Sequence, residues 1–439
     1  MRDIVIKNFR CYENKSIEFR SGINLLIGDN SVGKTSLLRA CNLIVSSFFS
    51  GYSDENTIWK GPDNSDFRTT GIDEAPVDIT YHIGQWDYLP IRTYSGETHE
   101  LKEDTILRIE KKSTKNSRNL VTGLDSLKRY TATLQKQSHV IVDGKIEQLN
   151  ALPVFACFTT EDIHTVRKID MEKFKKLKQK PSFGYYESFD CKGLLKYWIK
   201  RLLVLKEAKV GEDEIKTVRN AVVEALGPNG CDIIGDMEIR HNNGRVYFHF
   251  TDGRESESEL LSDGYRRLVN IVMDIAFRCA LLNKVMYGEQ SHKHTHGTVI
   301  IDEIDEHLHP SLQVRVLKAL QMTFPKIQFI ISTHSPLVIS SVKLCPENVV
   351  YKLEYDNNSS AYIHRELHVY GMDASTILEA YMGQSTRDIE IGENIKNIHK
   401  MIDEEKLLEA KTALGILRQQ MGDGDPELVK IETLISFLE

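Results

Sequence analysis

The chain has 439 residues, 41% of them hydrophobic, which is enough for a well-buried core and long enough for two or three lobes rather than one. Its seven cysteines form no CxxC pair and are too scattered for a disulfide framework, no apolar run approaches the roughly 18 residues that cross a bilayer, and the start "MRDIVIKNFRCYENKSIEF" has no long apolar stretch, so a reducing, cytoplasmic setting is expected. The formal charge of −7 sits in the tail: residues 371–439 carry 14 acidic and 7 basic side chains, leaving 49 of each sign before them.

In chain order, "DIVIKNFR", "SIEFRSG" and "INLLIG" read as strands, the last ending at Gly28. A helix follows in "KTSLLRACNLIVSSFF", with Leu37, Leu38, Cys41, Ile44 and Val45 on one face. The polar, turn-rich run from Tyr52 to Asp73 predicts a surface loop. Strands are predicted in "VDITYHIG", "TILRIEKK" and "HVIVDGKIEQL", the last folded back at Asp143-Gly144, and "LPVFACF" is apolar enough for a buried strand. From Glu161 to Gly227 the pattern turns helical, and 200–226 is amphipathic. Between Arg167 and Lys209, 13 Lys/Arg stand against 5 Asp/Glu, a basic face within a balanced region.

A second hairpin, "DMEIRHNNGRVYFHFTDG", leads to a long buried helix, "YRRLVNIVMDIAFRCALL". "GTVIIDEIDEHLHP", "RVLKALQMTF", "IQFIISTHSP" and "ENVVYKLEY" then alternate strand, helix, strand, strand, which predicts an α/β core with parallel central strands. The tail offers two striped helices, one with Leu407, Ala410, Leu414 and Leu417, the other with Ile431, Leu434, Ile435 and Leu438 behind Asp425-Pro426.

"GDNSVGKTS" matches a phosphate-binding loop in the context that pattern needs, after a strand and before a helix. Gly28 and Gly33 let backbone N–H groups from Asn30, Ser31 and Ser36 close around phosphates, Lys34 reaches the β and γ oxygens, and Thr35 can hold Mg²⁺. "TVIIDE" places Asp302 and Glu303 at the end of a buried strand, where Asp302 suits Mg²⁺ and Glu303 suits a general base. "FIISTHSP" ends another strand at His334, placed to bond a γ-phosphate or to serve as a structural histidine. In "LSDGYR", Ser262 and Gly264 open a helix and form a second anion site, although one chain has no second nucleotide for it. Two copies packed head to tail would use it, each Ser262 facing the other's ATP; a plain capped helix is the alternative.

The order of these motifs resembles the ABC-type ATPase heads of the SMC/RecF class, with "GDNSVGKT" as Walker A, "LSDGYR" as a variant signature, "TVIIDE" as Walker B, "IDEHLHP" with Asp305 as D-loop and "STHSP" as the switch histidine. The resemblance covers residues 1–45 and 255–355; Asp263 and Tyr265 depart from the LSGGQ pattern, and no Q-loop glutamine is placed. It implies an ATP- and Mg²⁺-dependent ATPase with Lys34, Glu303 and His334 catalytic, and an α/β head whose mixed central sheet is flanked by helices. The head would comprise 1–100 and 251–370, with an inserted lobe of strands then helices at 101–250 and an acidic helical tail at 371–439.

Within that class, "LSDGYRRLVNIVMDIAFR" with "IIDEIDEHLHP" is similar to the ATPase subunit of Septu-type antiphage systems, found also beside some retrons. That likeness implies a homodimer through ATP, open to larger assembly, an HNH-type nuclease partner, and nucleic acid reached through the complex. The alternative is a RecF-like repair ATPase binding DNA directly through its inserted lobe, with Tyr185, Tyr186 and Trp198 available for stacking; a third reading is a scaffold that binds ATP and barely hydrolyses it. Asp423 and Asp425 form "DGD", a pattern seen in TOPRIM nucleases, yet they sit between helices ahead of a proline and read as a turn, so no resident nuclease is expected. His292, His294 and His296 in "HKHTH" read as an exposed polar loop rather than a metal site, and His307 and His309 as part of the D-loop.

Overall fold

The structure, a computed structural model, describes residues 1–66, 77–83, 89–100, 105–111, 120–160, 169–189, 194–359, 361–385, 387–422 and 424–438. It divides into two compact units, Met1–Met372 and Asp373–Glu439.

The first unit begins with the hairpin of β1 (Asp3–Phe9) and β2 (Tyr12–Glu18), followed by β3 (Ile23–Ile27) and α1 (Lys34–Ser46). Then come β4 (Val77–Ile83), β5 (Thr105–Lys111), β6 (Leu120–Thr122), α2 (Leu124–Gln137), the hairpin β7 (His139–Val142) and β8 (Lys145–Gln148), and β9 (Val154–Phe158). Two helices, α3 (Leu195–Glu207) and α4 (Glu212–Leu226), precede a meander of β10 (Ile234–Arg240), β11 (Arg245–Phe250) and β12 (Glu255–Glu257). The long α5 (Asp263–Tyr287) leads into β13 (Gly297–Ile301), α6 (Val316–Thr323), β14 (Ile327–Ser332), β15 (Val349–Asp356) and β16 (Ala361–Glu366).

Two sheets organise this unit. One is antiparallel in the order β2-β1-β4-β5-β6. The other has six strands in the order β9-β13-β14-β3-β15-β16, parallel except for the last pair. The parallel strands β3, β9 and β14 are buried at every residue, as a sheet covered on both faces requires. All five parallel strands point the same way, so the C-terminal ends of β3, β13 and β14 deliver the phosphate loop, the acidic pair and the histidine to one edge, where open parallel sheets bind ligands.

Several expectations need correcting. Residues 105–122, assigned from sequence to the inserted lobe, extend the β1 sheet, and β9 is an edge strand of the central sheet; an apolar run such as "VFACF" is satisfied only where both faces are covered. The expected surface loop after Tyr52 is packed where described: Tyr52 stacks on Phe48, and the buried Asp66 accepts from Arg10 and Arg39, the pairing that a buried carboxylate demands. Its remainder, 67–73, lies outside the described residues. The amphipathic helical pattern read over 200–226 is present, carried by α3 and α4, which are separated where Lys209 and Gly211 take left-handed conformations. Tyr185 and Trp198 are only 1% and 0% exposed, so neither offers a face to a base. His292 is buried in a short helix rather than exposed in a loop. Cys157 is disulfide-bonded, while Cys11, Cys41, Cys231, Cys279 and Cys345 are free.

Other readings match the structure. Asp143 and Gly144 both have positive φ, 49° and 78°, the geometry of a tight two-residue hairpin turn. α1 buries Leu37, Leu38, Cys41, Ile44 and Val45, the face read from its spacing.

After a short helical turn over 374–381, the described residues of the second unit form three long helices where two were expected: α7 (Ile389–Asp403), α8 (Leu407–Met421) and α9 (Pro426–Leu438). They share one core that includes Ile395, Ile398, Ile402, Leu414, Leu417, Leu428 and Ile431. Asp425 accepts from the N–H groups of Glu427 and Leu428 and pairs with Arg387, so it works as a helix cap and brace. Asp423 lies outside the described residues.

Candidate functional site

The phosphate loop joins β3 to α1 and departs from ordinary backbone conformation at three positions, with φ of 142° at Gly28, 70° at Ser31 and 93° at Gly33. A Cβ on Gly33 would lie 2.5 Å from the Tyr12 hydroxyl and 2.7 Å from the Cys11 sulfur, so β2 closes the rear of the loop. Tyr12 also donates to the Gly33 carbonyl at 2.9 Å, fixing the loop from a side chain that the motif does not contain. Asp29, Asn30, Ser31 and Thr35 face solvent, while Lys34 is buried and donates to the carbonyls of Gly28 and Asp29 at 2.8 and 2.9 Å. Ser36 bonds the Cys11 thiol. Burial lowers the Lys34 ammonium pKa, and Asp302, Glu303, Asp29 and Asp305 oppose that shift.

The acidic end of β13 meets this loop directly. Thr35 Oγ1 donates to Asp302 Oδ2 at 2.9 Å, and Ser332 at the end of β14 donates to Asp302 Oδ1. A hydroxyl and a carboxylate converging in this way are hard oxygen donors of the kind Mg²⁺ takes, and Thr35 and Asp302 therefore fit that ion. Glu303 follows with φ 50°, its N–H donating to Ser332 Oγ at 2.8 Å. Desolvation and then the neighbouring Asp302 raise its carboxyl pKa, and His334 pulls the other way, which places His334 within electrostatic reach of Glu303. Asp305 accepts from the Thr333 hydroxyl and from the His334 N–H, tying the D-loop to the histidine turn.

Lys34, Thr35, Asp302, Glu303, Asp305 and His334 are thus connected through short bonds or charge contacts. Ser262 and Gly264 are not: among the described residues no bond links them to the phosphate loop of their own chain. Ser262 is exposed at the N-terminus of the 25-residue α5, and its hydroxyl does not cap that helix. Gly264 packs on the D-loop instead; a Cβ there would lie 2.3 Å from the His307 carbonyl oxygen.

Arg267 is a residue that the motifs do not disclose. It is 1% exposed and donates to Glu306 Oε2 at 2.6 Å and to the carbonyls of Asp302 and Glu303 at 2.8 and 3.0 Å. The signal available in sequence was a pair of arginines at the start of a long, largely apolar helix, where one of them has to be buried and paired. Further along α5, Asp274 accepts from Trp198 Nε1 at 2.6 Å and pairs with Arg278, which also donates to the carbonyls of Gly184 and Tyr186.

Residues 23–340 match the family described as "AAA domain, putative AbiEii toxin, Type IV TA system". The chain is 24% identical over 432 residues to the Septu protein PtuA of Bacillus thuringiensis, covering 95% of this chain and 93% of that one. It is 34% identical over 155 residues to the "Retron Vc95 probable ATPase" of Vibrio cholerae, covering 35% of this chain and 27% of the relative, about a quarter of its length. Among solved structures, an SMC head bound to the C-winged helix domain of ScpA aligns with TM-score 0.48 at 14% identity, over 83% of this chain and 98% of that one. With well over half of its length inside the family match, from β3 through the histidine turn, the chain belongs to the AAA_21 family of AAA-domain ATPases and is similar to PtuA.

Proposed function

We propose that the chain binds and hydrolyses ATP, pairs head to tail with a second copy around two nucleotides, and thereby regulates a separate nuclease in bacterial antiphage defence. The observation that carries the pairing is Ser262: an exposed, uncapped hydroxyl on a long helix whose N-terminus is braced against its own D-loop and which, among the described residues, makes no bond to its own phosphate loop. Helix N-termini and free N–H groups attract anions, and a triphosphate held by the other copy supplies one.

In this reading the loop N–H groups from Asn30 to Ser36 and the Lys34 ammonium hold the phosphates. Thr35 and Asp302 hold Mg²⁺, which neutralises phosphate charge when bound. Glu303 takes a proton from the attacking water as the bond between water oxygen and γ-phosphorus forms and the β–γ bridge breaks, and His334 donates to the γ-phosphate. Ser262 and Gly264 of the second copy close the site, and Asp305 lies where the two copies meet.

The nuclease belongs to the reading through similarity to the Septu protein PtuA, and an HNH-type enzyme is the expected kind. Direct DNA binding through the 167–209 region loses most of its stacking platform, since Trp198 and Tyr185 are buried, and retains the half-buried Tyr186 and the electrostatic part. Light scattering of Glu303→Gln with and without Mg-ATP tests the proposal: a doubling of mass that requires nucleotide is expected, and a monomer under both conditions would refute it.

A further inference from the structure

We infer that Arg267 is a positioning residue that ties the general base of each subunit to the helix end lent to its partner, so that the two ATP centres of a dimer are coupled. This rests on the head-to-tail reading above. One guanidinium nitrogen grips the carbonyls of Asp302 and Glu303, the groups on either side of the peptide that carries the base. The other nitrogen is held by Glu306 in the D-loop. The Arg267 side chain is 2% exposed, and its Nε is buried without a partner. Burying a charged fork with one N–H unpaired is costly, and an apolar side chain would fill the space at lower cost.

The grip has a specific object. Glu303 holds φ 50°, a conformation disfavoured for any residue with a Cβ, and only surrounding bonds maintain it. Those bonds are Ser332 Oγ on its N–H and, on its carbonyl, Arg267 together with the Glu306 N–H at 3.1 Å. Arg267 lies one helical turn from Gly264, whose α-carbon abuts the His307 carbonyl too closely for a methyl group. Two contacts, one polar and one steric, therefore lock the 302–307 segment to the start of α5. A shift of the acidic segment when γ-phosphate leaves one centre is transmitted to Ser262 and Gly264, and so to the nucleotide of the other copy. Lysine cannot substitute, because a single ammonium has no planar fork with which to reach all three acceptors.

The test compares full-length wild type, Arg267→Lys and Glu306→Gln for equilibrium ATP binding, thermal melting, and phosphate release across ATP concentration. Expected for Arg267→Lys are a kcat about 20-fold lower, an ATP Kd within about threefold, and a Hill coefficient that falls from above about 1.5 to near 1. Glu306→Gln should move kcat and the Hill coefficient in the same direction, by about fivefold in rate. Should Arg267→Lys fail to fold, Glu306→Gln decides by the same two readings. A cooperative wild type whose variants keep both rate and steepness overturns the coupling alone, as does a proportional loss of ATP binding and rate. A wild type with neither cooperativity nor an ATP-dependent dimer overturns the parent reading and the coupling with it.

Discussion

Replacing Glu303 with glutamine changes one oxygen into an amide and leaves the backbone scaffold intact, because Ser332 and Arg267 hold the main chain of residue 303 rather than its side chain. The loss should therefore fall on chemistry. A positioned general base contributes about 10²- to 10⁴-fold, so kcat should drop by that factor, equivalent to about 3–5 kcal/mol of barrier. ATP affinity should stay within about threefold, since the lysine and the loop N–H groups are untouched. The substitution also bears on stability with a definite sign. The Glu303 carboxyl pKa is raised in the fold by burial and by Asp302, so ionising it costs stability as pH rises through the folded-state value. Glutamine removes that cost, and the variant should melt no lower than wild type at neutral pH, with any advantage shrinking as pH falls toward the ordinary carboxylate range. Single-turnover phosphate release, nucleotide binding and melting curves give all three quantities. A variant that hydrolyses ATP within threefold of the wild-type rate would refute the assignment of the base.

The same raised carboxyl places the acid limb of the wild-type pH–kcat/KM profile, which reports the nucleotide-free protein, above the value of about 4.3 for an unperturbed glutamate; a limb at or below that value would mean another base acts. Arg201 and Glu214 form an ion pair with both side chains fully buried, so Arg201→Ala should destabilise the protein by about 3–5 kcal/mol in urea unfolding, much more than loss of an exposed pair such as Arg254 with Asp252. Gly264→Ala forces a methyl against the His307 carbonyl and should cost about 1–3 kcal/mol while lowering ATPase activity, measured by melting and phosphate release.

The phosphate loop and the acidic strand end were legible because their chemistry fixes residue type and spacing at once: Gly28, Gly33, Lys34 and Thr35 fall where a strand hands over to a helix, and the structure joins Thr35 to Asp302 across 267 residues. The parallel strands were legible as mostly apolar runs of five to eight residues. Packing that depends on distant partners was not. Asp66 looked like a loop residue because nothing local shows that Arg10 and Arg39 will enclose it. Trp198 and Tyr185 sit in a basic run, and the charges around them suggested an exposed face, yet Asp274 and a cluster of aromatic rings draw both inward. The α7 helix carries a stripe at Ile391, Ile395, Ile398 and Ile402 at helical spacing, which its local sequence shows. Arg267 needed three dimensions, since both main-chain carbonyls that it binds are invisible to any side-chain pattern.

The most direct measurement is an inter-chain cross-link between one tagged copy carrying Asn30→Cys and another carrying Ser262→Cys, joined by a short bis-maleimide, with each single variant alone as the control for native thiols such as Cys11 and Cys345. A linked heterodimer that needs Mg-ATP and disappears with Lys34→Ala is the predicted result. A link of equal yield without nucleotide, or none with it, would contradict the claim that one copy completes the phosphate site of the other.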